Sequence, residues 1–127
     1  MSGKTILYVE DNELNRKIVR DLLKRTSYTL VEAFDGEAGV AKAIEMKPDL
    51  ILMDIQLPKI SGMEAMRRIR ADASMAETPI VAITSFALSG DEQKAKAAGA
   101  TAYLAKPYSP LDLLGLIRKL LPEGPKE

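Results

Sequence analysis

The chain has 127 residues, 46% hydrophobic and 28% charged, with 18 basic and 18 acidic side chains and no formal net charge. That suits one globular domain over 1–127, with a core about 4–121 and a tail at 122–127. It excludes a disordered chain, a membrane-spanning one (no apolar run is long enough) and one with the basic excess of a nucleic-acid binder.

The missing residue types exclude further chemistry. With no cysteine and no histidine, the chain can build no disulfide, thiolate metal site, histidine-ligated zinc site or Ser-His-Asp nucleophile. Acid–base and metal work falls to carboxylates, lysine and hydroxyls. The start, from Met1 to Lys4, lacks the apolar core of a signal peptide, and a cytoplasmic address is expected.

Thr5 to Val9 is β-branched and apolar, cut off by Glu10-Asp11-Asn12, and predicts a first strand. A helix follows, with Leu14, Ile18 and Leu22 recurring every fourth residue, Val19 and Leu23 beside them, and Asp11 or Asn12 as its cap. Tyr28 to Ala33 reads as a second strand and Asp35-Gly36 as a turn. Glu37 to Met46 reads as a helix with Val40, Ala41 and Ile44 on one face, stopped by Lys47-Pro48. The nearly unbroken apolar run from Asp49 to Met53, ending at Asp54, has the look of a strand covered on both faces.

Met63, Met66 and Ile69 (with Ile60 ahead of them) predict a third helix, and Pro79 to Ile83 a fourth strand ending at Thr84-Ser85. Ser89 to Ala98 predicts a thin-faced helix closed by Gly99. Ala102 to Ala105 predicts a fifth strand ending at Lys106-Pro107. Leu113, Leu114, Ile117, Leu120 and Leu121 form the last and strongest helical stripe, ended by Pro122. Five βα units predict an α/β fold: a five-stranded parallel sheet with helices on both faces.

Open α/β sheets bind ligands beyond the carboxyl ends of their strands. Those ends carry Glu10-Asp11, Asp54, Thr84 and Lys106; only the second strand ends blandly, at Glu32-Ala33-Phe34. Singly, each is what a cap or loop residue looks like. Jointly they crowd three carboxylates at one rim, which a hard divalent cation would reconcile. With such an ion and the Lys106 ammonium the formal charges cancel. A carboxylate is a competent covalent nucleophile towards phosphorus, with lysine and hydroxyl as donors to the transferred group.

At these residues the sequence resembles the response-regulator receiver family, whose fold is flavodoxin-like, or CheY-like, with strand order 2-1-3-4-5. The carriers are Leu7 to Asn12, Asp49 to Pro58, Gly62, Pro79 to Thr84, and Ala105-Lys106-Pro107. The stretches 10–15 and 53–58 are similar to DivK-like single-domain regulators and to receivers attached to hybrid kinases. The resemblance implies that Asp54 accepts a phosphoryl group. It also implies that Mg²⁺ (or Mn²⁺) is held by Glu10, Asp11, Asp54 and the backbone carbonyl of Gln56. Thr84 and Lys106 would then contact the phosphoryl group, Thr84 and Tyr103 would act as the switch pair, and Lys106-Pro107 would be a cis peptide. Gln56 and Phe86 would flank the approach of water, with small Ser85 leaving room for the acyl phosphate.

The expected function is a phospho-accepting switch rather than an enzyme. A sensor histidine kinase or histidine phosphotransfer protein supplies the phosphoryl group, and the face of the fourth helix, fifth strand and fifth helix changes its partner affinity. The alternative is an intermediate that passes the group on to a histidine phosphotransfer protein. A monomer or weak dimer is expected, with no nucleic-acid or membrane partner. An aspartate-nucleophile phosphatase usually has a second acid two residues past the nucleophile, where Gln56 stands here.

Overall fold

The apolar runs form five short strands: β1 (Thr5–Val9), β2 (Thr29–Ala33), β3 (Leu50–Asp54), β4 (Ile80–Thr84) and β5 (Ala102–Ala105). All pair in parallel, in the order β2-β1-β3-β4-β5. The computed structural model describes residues 4–84 and 90–122. Between the strands run α1 (Glu13–Leu23), α2 (Gly36–Met46), α3 (Gly62–Arg70), α4 (Asp91–Ala98) and α5 (Pro110–Leu120), with a 3₁₀ turn at Ala73–Met75. Ser85, Phe86 and Ser89, like the tail beyond Pro122, lie outside the described residues.

Side chains alternate across a strand, so each face of the sheet acquires its own core. Ile6 and Tyr8 of β1 join Leu50 and Leu52 of β3 against Val19 and Leu23 of α1 and Leu113 and Ile117 of α5. Leu7, Val9, Ile51 and Met53 face Ala43 of α2, Met66 and Ile69 of α3, and Ala95 and Ala98 of α4. Helices therefore cover both faces, and β3, in the middle of the sheet, is buried along its whole length. Burying each Leu or Ile here contributes about 1.5–3 kcal/mol.

Two helices turn a different face inward from the one their apolar periodicity predicts. In α1, Val19 and Leu23 are buried, but Leu14 is 66% and Ile18 44% exposed. The inward position one turn before Val19 belongs to Arg16, which is buried. Its guanidinium is satisfied by Glu32 and Glu13, by the backbone oxygen of Glu10, and by the ring of Phe34, 4.1 Å away. In α2 the buried residues are Gly36, Gly39 and Ala43, with Val40 packed beside them, whereas Ala41 and Ile44 are exposed. A Cβ on Gly39 would lie 2.7 Å from the Val9 side chain of β1, and one on Gly36 would lie 2.6 Å from Ile60, so small residues make these contacts.

Local chemistry sets the boundaries. Asn12, not Asp11, caps α1 by accepting from the Asn15 amide at 2.9 Å. Asp35 is not a turn residue but the cap of α2, accepting from the Ala38 amide. Gly99 closes α4 at φ 121°, where a side chain would be strained. Ser109 caps α5, and Pro110 occupies its first turn. No helix among the described residues is long and apolar enough to cross a membrane.

Candidate functional site

A parallel sheet brings all its strand ends with the same polarity to one edge. Where the chain leaves β1 towards β2 on one side and β3 lies on the other, the loops diverge and open a crevice. Asp54 is the last residue of β3 and Thr84 the last of β4, while Glu10 follows β1 and Lys106 follows β5. The rim residues named from the sequence thus meet in one place. Glu10, Asp54 and Thr84 are buried, whereas Asp11 is exposed. One carboxylate oxygen from each of Glu10, Asp11 and Asp54 lies within 4.8 Å of the others.

Lys106 spans the crevice. Its Nζ lies 3.1 Å from Glu10 Oε1 and 3.3 Å from Asp54 Oδ2. The peptide joining it to Pro107 is cis. The Gln56 amide donates to Asp54 Oδ1 at 2.9 Å, and the Gln56 side-chain amide donates to Thr84 Oγ1, also at 2.9 Å. The Thr84 hydroxyl is therefore tied to the loop after β3. Tyr103, paired with Ala82 in the β4–β5 register, faces the α4 layer. Its buried hydroxyl has no hydrogen-bond partner among the described residues.

Electrostatics separate the two buried carboxylates. Burial, then a hydrogen bond and charge repulsion from Glu10, push Asp54 up to about 7, against the pull of Lys106 and the Gln56 amide. Burial acts the same way on Glu10, but hydrogen bonds from Asp54, Lys106 and the Asn12 amide together hold it below the usual carboxylate range. Of the two, Asp54 is therefore the carboxylate that takes up a proton first as pH falls, while Glu10 stays ionised to lower pH. Burial alone would lower the Lys106 ammonium; the two carboxylates outweigh it and hold the group above its ordinary value.

The donor set fits a hard divalent cation: three carboxylates converge, one of them is open to solvent, and the two buried ones repel each other in a way that a cation would relieve.

Three groups around the site carry no signal that strand-end reasoning would notice. Arg16 holds the backbone oxygen of Glu10 at 2.9 Å and thereby fixes the acidic loop to α1. Glu32, at the bland end of β2, receives both Arg16 and Arg20. Tyr8 donates to Glu10 Oε1 at 3.2 Å. Burial above all, then the neighbouring Tyr108 and Glu10, hold its phenol far above the ordinary range, so it stays a neutral donor. The sequence clue was a tyrosine inside an otherwise aliphatic strand, two residues before a carboxylate.

The geometry agrees with three comparisons. Residues 6–118 match the family model described as the response regulator receiver domain. The polar-differentiation response regulator DivK of Brucella anthropi is 42% identical over 106 residues, 84% of this chain and 86% of that protein; DivK of Brucella ovis matches equally. The chemotaxis response regulator CheY4 of Vibrio cholerae superposes with a TM-score of 0.87 at 31% identity, covering 93% of this chain and 98% of that one. The receiver domain of a sensor histidine kinase from Pseudomonas aeruginosa superposes at 0.86 with 36% identity, covering 94% and 98%. That structure carries a magnesium ion coordinated in its active-site cleft.

Proposed function

The chain belongs to the response regulator receiver family, and from that premise we propose that it is a single-domain switch that accepts a phosphoryl group on Asp54. The observation that carries this reading is the convergence of Lys106 on both Glu10 and Asp54 at the end of the central strand. Glu10, Asp11, Asp54 and the carbonyl of Gln56 would hold Mg²⁺ (or Mn²⁺). When bound, the ion supplies positive charge that keeps Asp54 ionised and offsets charge on the transferring group.

In the reaction an Asp54 carboxylate oxygen forms a bond to phosphorus while the donor's N–P bond breaks, and the imidazole leaves with the electron pair. There is no histidine in this chain, so the phosphohistidine belongs to a partner. Lys106 turns from the bare carboxylates to the phosphoryl oxygens, where its charge opposes the gain of about one negative charge. The Thr84 hydroxyl leaves Gln56 and donates to the same group. Tyr103, whose buried hydroxyl lacks a partner among the described residues, can follow it, which changes the α4–β5–α5 face. A charge-assisted hydrogen bond of about 1.5–3 kcal/mol shifts a two-state equilibrium roughly ten- to a hundredfold. The reaction is a single self-modification rather than turnover of a substrate, and it takes place in the cytoplasm.

Incubation with a small-molecule acyl phosphate and Mg²⁺ tests this reading. Phosphoryl uptake, followed by intact mass, is expected to stop when a chelator removes the ion. Uptake that continues undiminished in chelator would contradict the metal assignment.

The partner face follows from what α1 leaves outside. Leu14 and Ile18 are exposed beside a groove of about 310 Å³ lined by Asn15, Ile18, Lys106, Pro107, Tyr108 and Pro110. Because Lys106 lines the groove and also touches Asp54, a phosphohistidine-bearing partner seated there would present its phosphorus to the acceptor. Ile18→Asp is expected to slow uptake from a protein donor at least about tenfold and to leave uptake from the small donor unchanged. Equal rates from both donors before and after the change would place docking elsewhere.

A further inference from the structure

A phenol in the middle of a parallel sheet is costly unless its hydroxyl is satisfied. Tyr8 is fully buried on β1, among Val19, Leu113 and Ile117. Its hydroxyl donates to Glu10 Oε1 at 3.2 Å, and Tyr108 lies beside it. Tyr108 follows the cis Lys106–Pro107 peptide and lines the groove beside α1. The inner of these two phenols is hydrogen-bonded to one of the buried carboxylates.

Both oxygens of Glu10 are gripped. Oε1 takes Tyr8 and Lys106, and Oε2 takes the Asn12 amide at 3.2 Å. Of these donors only Lys106 is called away in the proposed reaction. Tyr8 and Asn12 stay, and between them fix the plane of the carboxylate while Lys106 moves.

We infer that Tyr8 is a positioning residue that orients Glu10 for the divalent cation. The inference rests on the reading of Glu10 as a metal ligand. A ring that merely filled the core would need no hydroxyl, since phenylalanine would fill the same space. Donors to a metal ligand's carboxylate typically govern affinity ten- to a hundredfold.

Titration of the full chain with Mg²⁺, followed by calorimetry and by backbone NMR shifts, tests this in wild type, Tyr8→Phe and Tyr8→Leu. Tyr8→Phe is expected to raise the Mg²⁺ Kd about tenfold, and Tyr8→Leu, which also lacks the hydroxyl, by a similar factor. Thermal melts in chelator show whether each variant is folded, and they read any purely structural effect separately from affinity. A wild-type Kd in folded Tyr8→Phe overturns the inference and leaves the proposed function standing. Should Tyr8→Phe not fold, a wild-type Kd in folded Tyr8→Leu overturns it in the same way. A wild-type protein that binds no Mg²⁺ overturns the metal reading itself, and the inference with it.

Discussion

Without divalent cations, Asp54→Asn is expected to stabilise the protein by about 2–4 kcal/mol at about pH 8 and to change little near pH 4. Burial and Glu10 hold the folded-state Asp54 up at about 7. A free aspartate titrates near 4, so between those values the folded protein binds more protons than the unfolded chain. The contribution of Asp54 to stability is therefore complete below about pH 4 and is lost as pH rises through about 7. Asparagine carries no charge to be penalised, and its side-chain oxygen can still accept from the Gln56 amide that now serves Asp54 Oδ1. Urea denaturation of both proteins in chelator across this range checks the result. A stability difference that stays flat from pH 4 to 8 would show that Asp54 titrates normally. Added Mg²⁺ is expected to reverse the order by stabilising wild type, because the ion binds only the folded site.

The second large effect comes from a residue with no chemistry of its own. Gly62→Ala should destabilise the fold by about 3 kcal/mol or more, although alanine is the better helix former by about 1 kcal/mol. A Cβ on Gly62 would lie 2.1 Å from the backbone oxygen of Asp54 and 2.8 Å from the Cα of Ile55. Neither atom can rotate away, and the Gly62 amide also bonds the Ile55 carbonyl at 2.9 Å. Relief requires moving the start of α3 away from the loop that carries Asp54, so phosphoryl uptake should fall together with the melting temperature. A variant as stable as wild type would mean that α3 can retreat at no cost.

These two positions also show what the sequence could reveal. Asp54 was legible because an unbroken apolar run ended on it, and such a run has one common cause, a strand buried on both faces. The strand ends were legible because a parallel sheet makes them converge, whatever lies between. The inward faces of α1 and α2 were not. A four-residue apolar spacing in α1 marks Leu14, Ile18 and Leu22 as well as it marks Val19 and Leu23. Which row turned inward was decided by Arg16, a charged residue whose burial depends on Glu32 and Phe34 from another element. In α2 the contact is made by Gly36, Gly39 and Ala43, whose small size gives periodicity nothing to detect. The 3₁₀ turn at Ala73–Met75 rests on Asp72 accepting from Ser74, a local bond with no hydrophobic signature. The Tyr8–Glu10 contact was within reach of the sequence, because residues two apart on a strand share a face, but the spacing alone does not distinguish a hydroxyl donor from a core ring.

The most direct measurement is phosphorylation by a small-molecule acyl phosphate with Mg²⁺, with peptide mapping of wild type and Asp54→Asn. Wild type should gain one phosphoryl group, on the peptide carrying Asp54, and the variant should gain none. A variant labelled to the wild-type level would contradict the assignment of Asp54 as the acceptor.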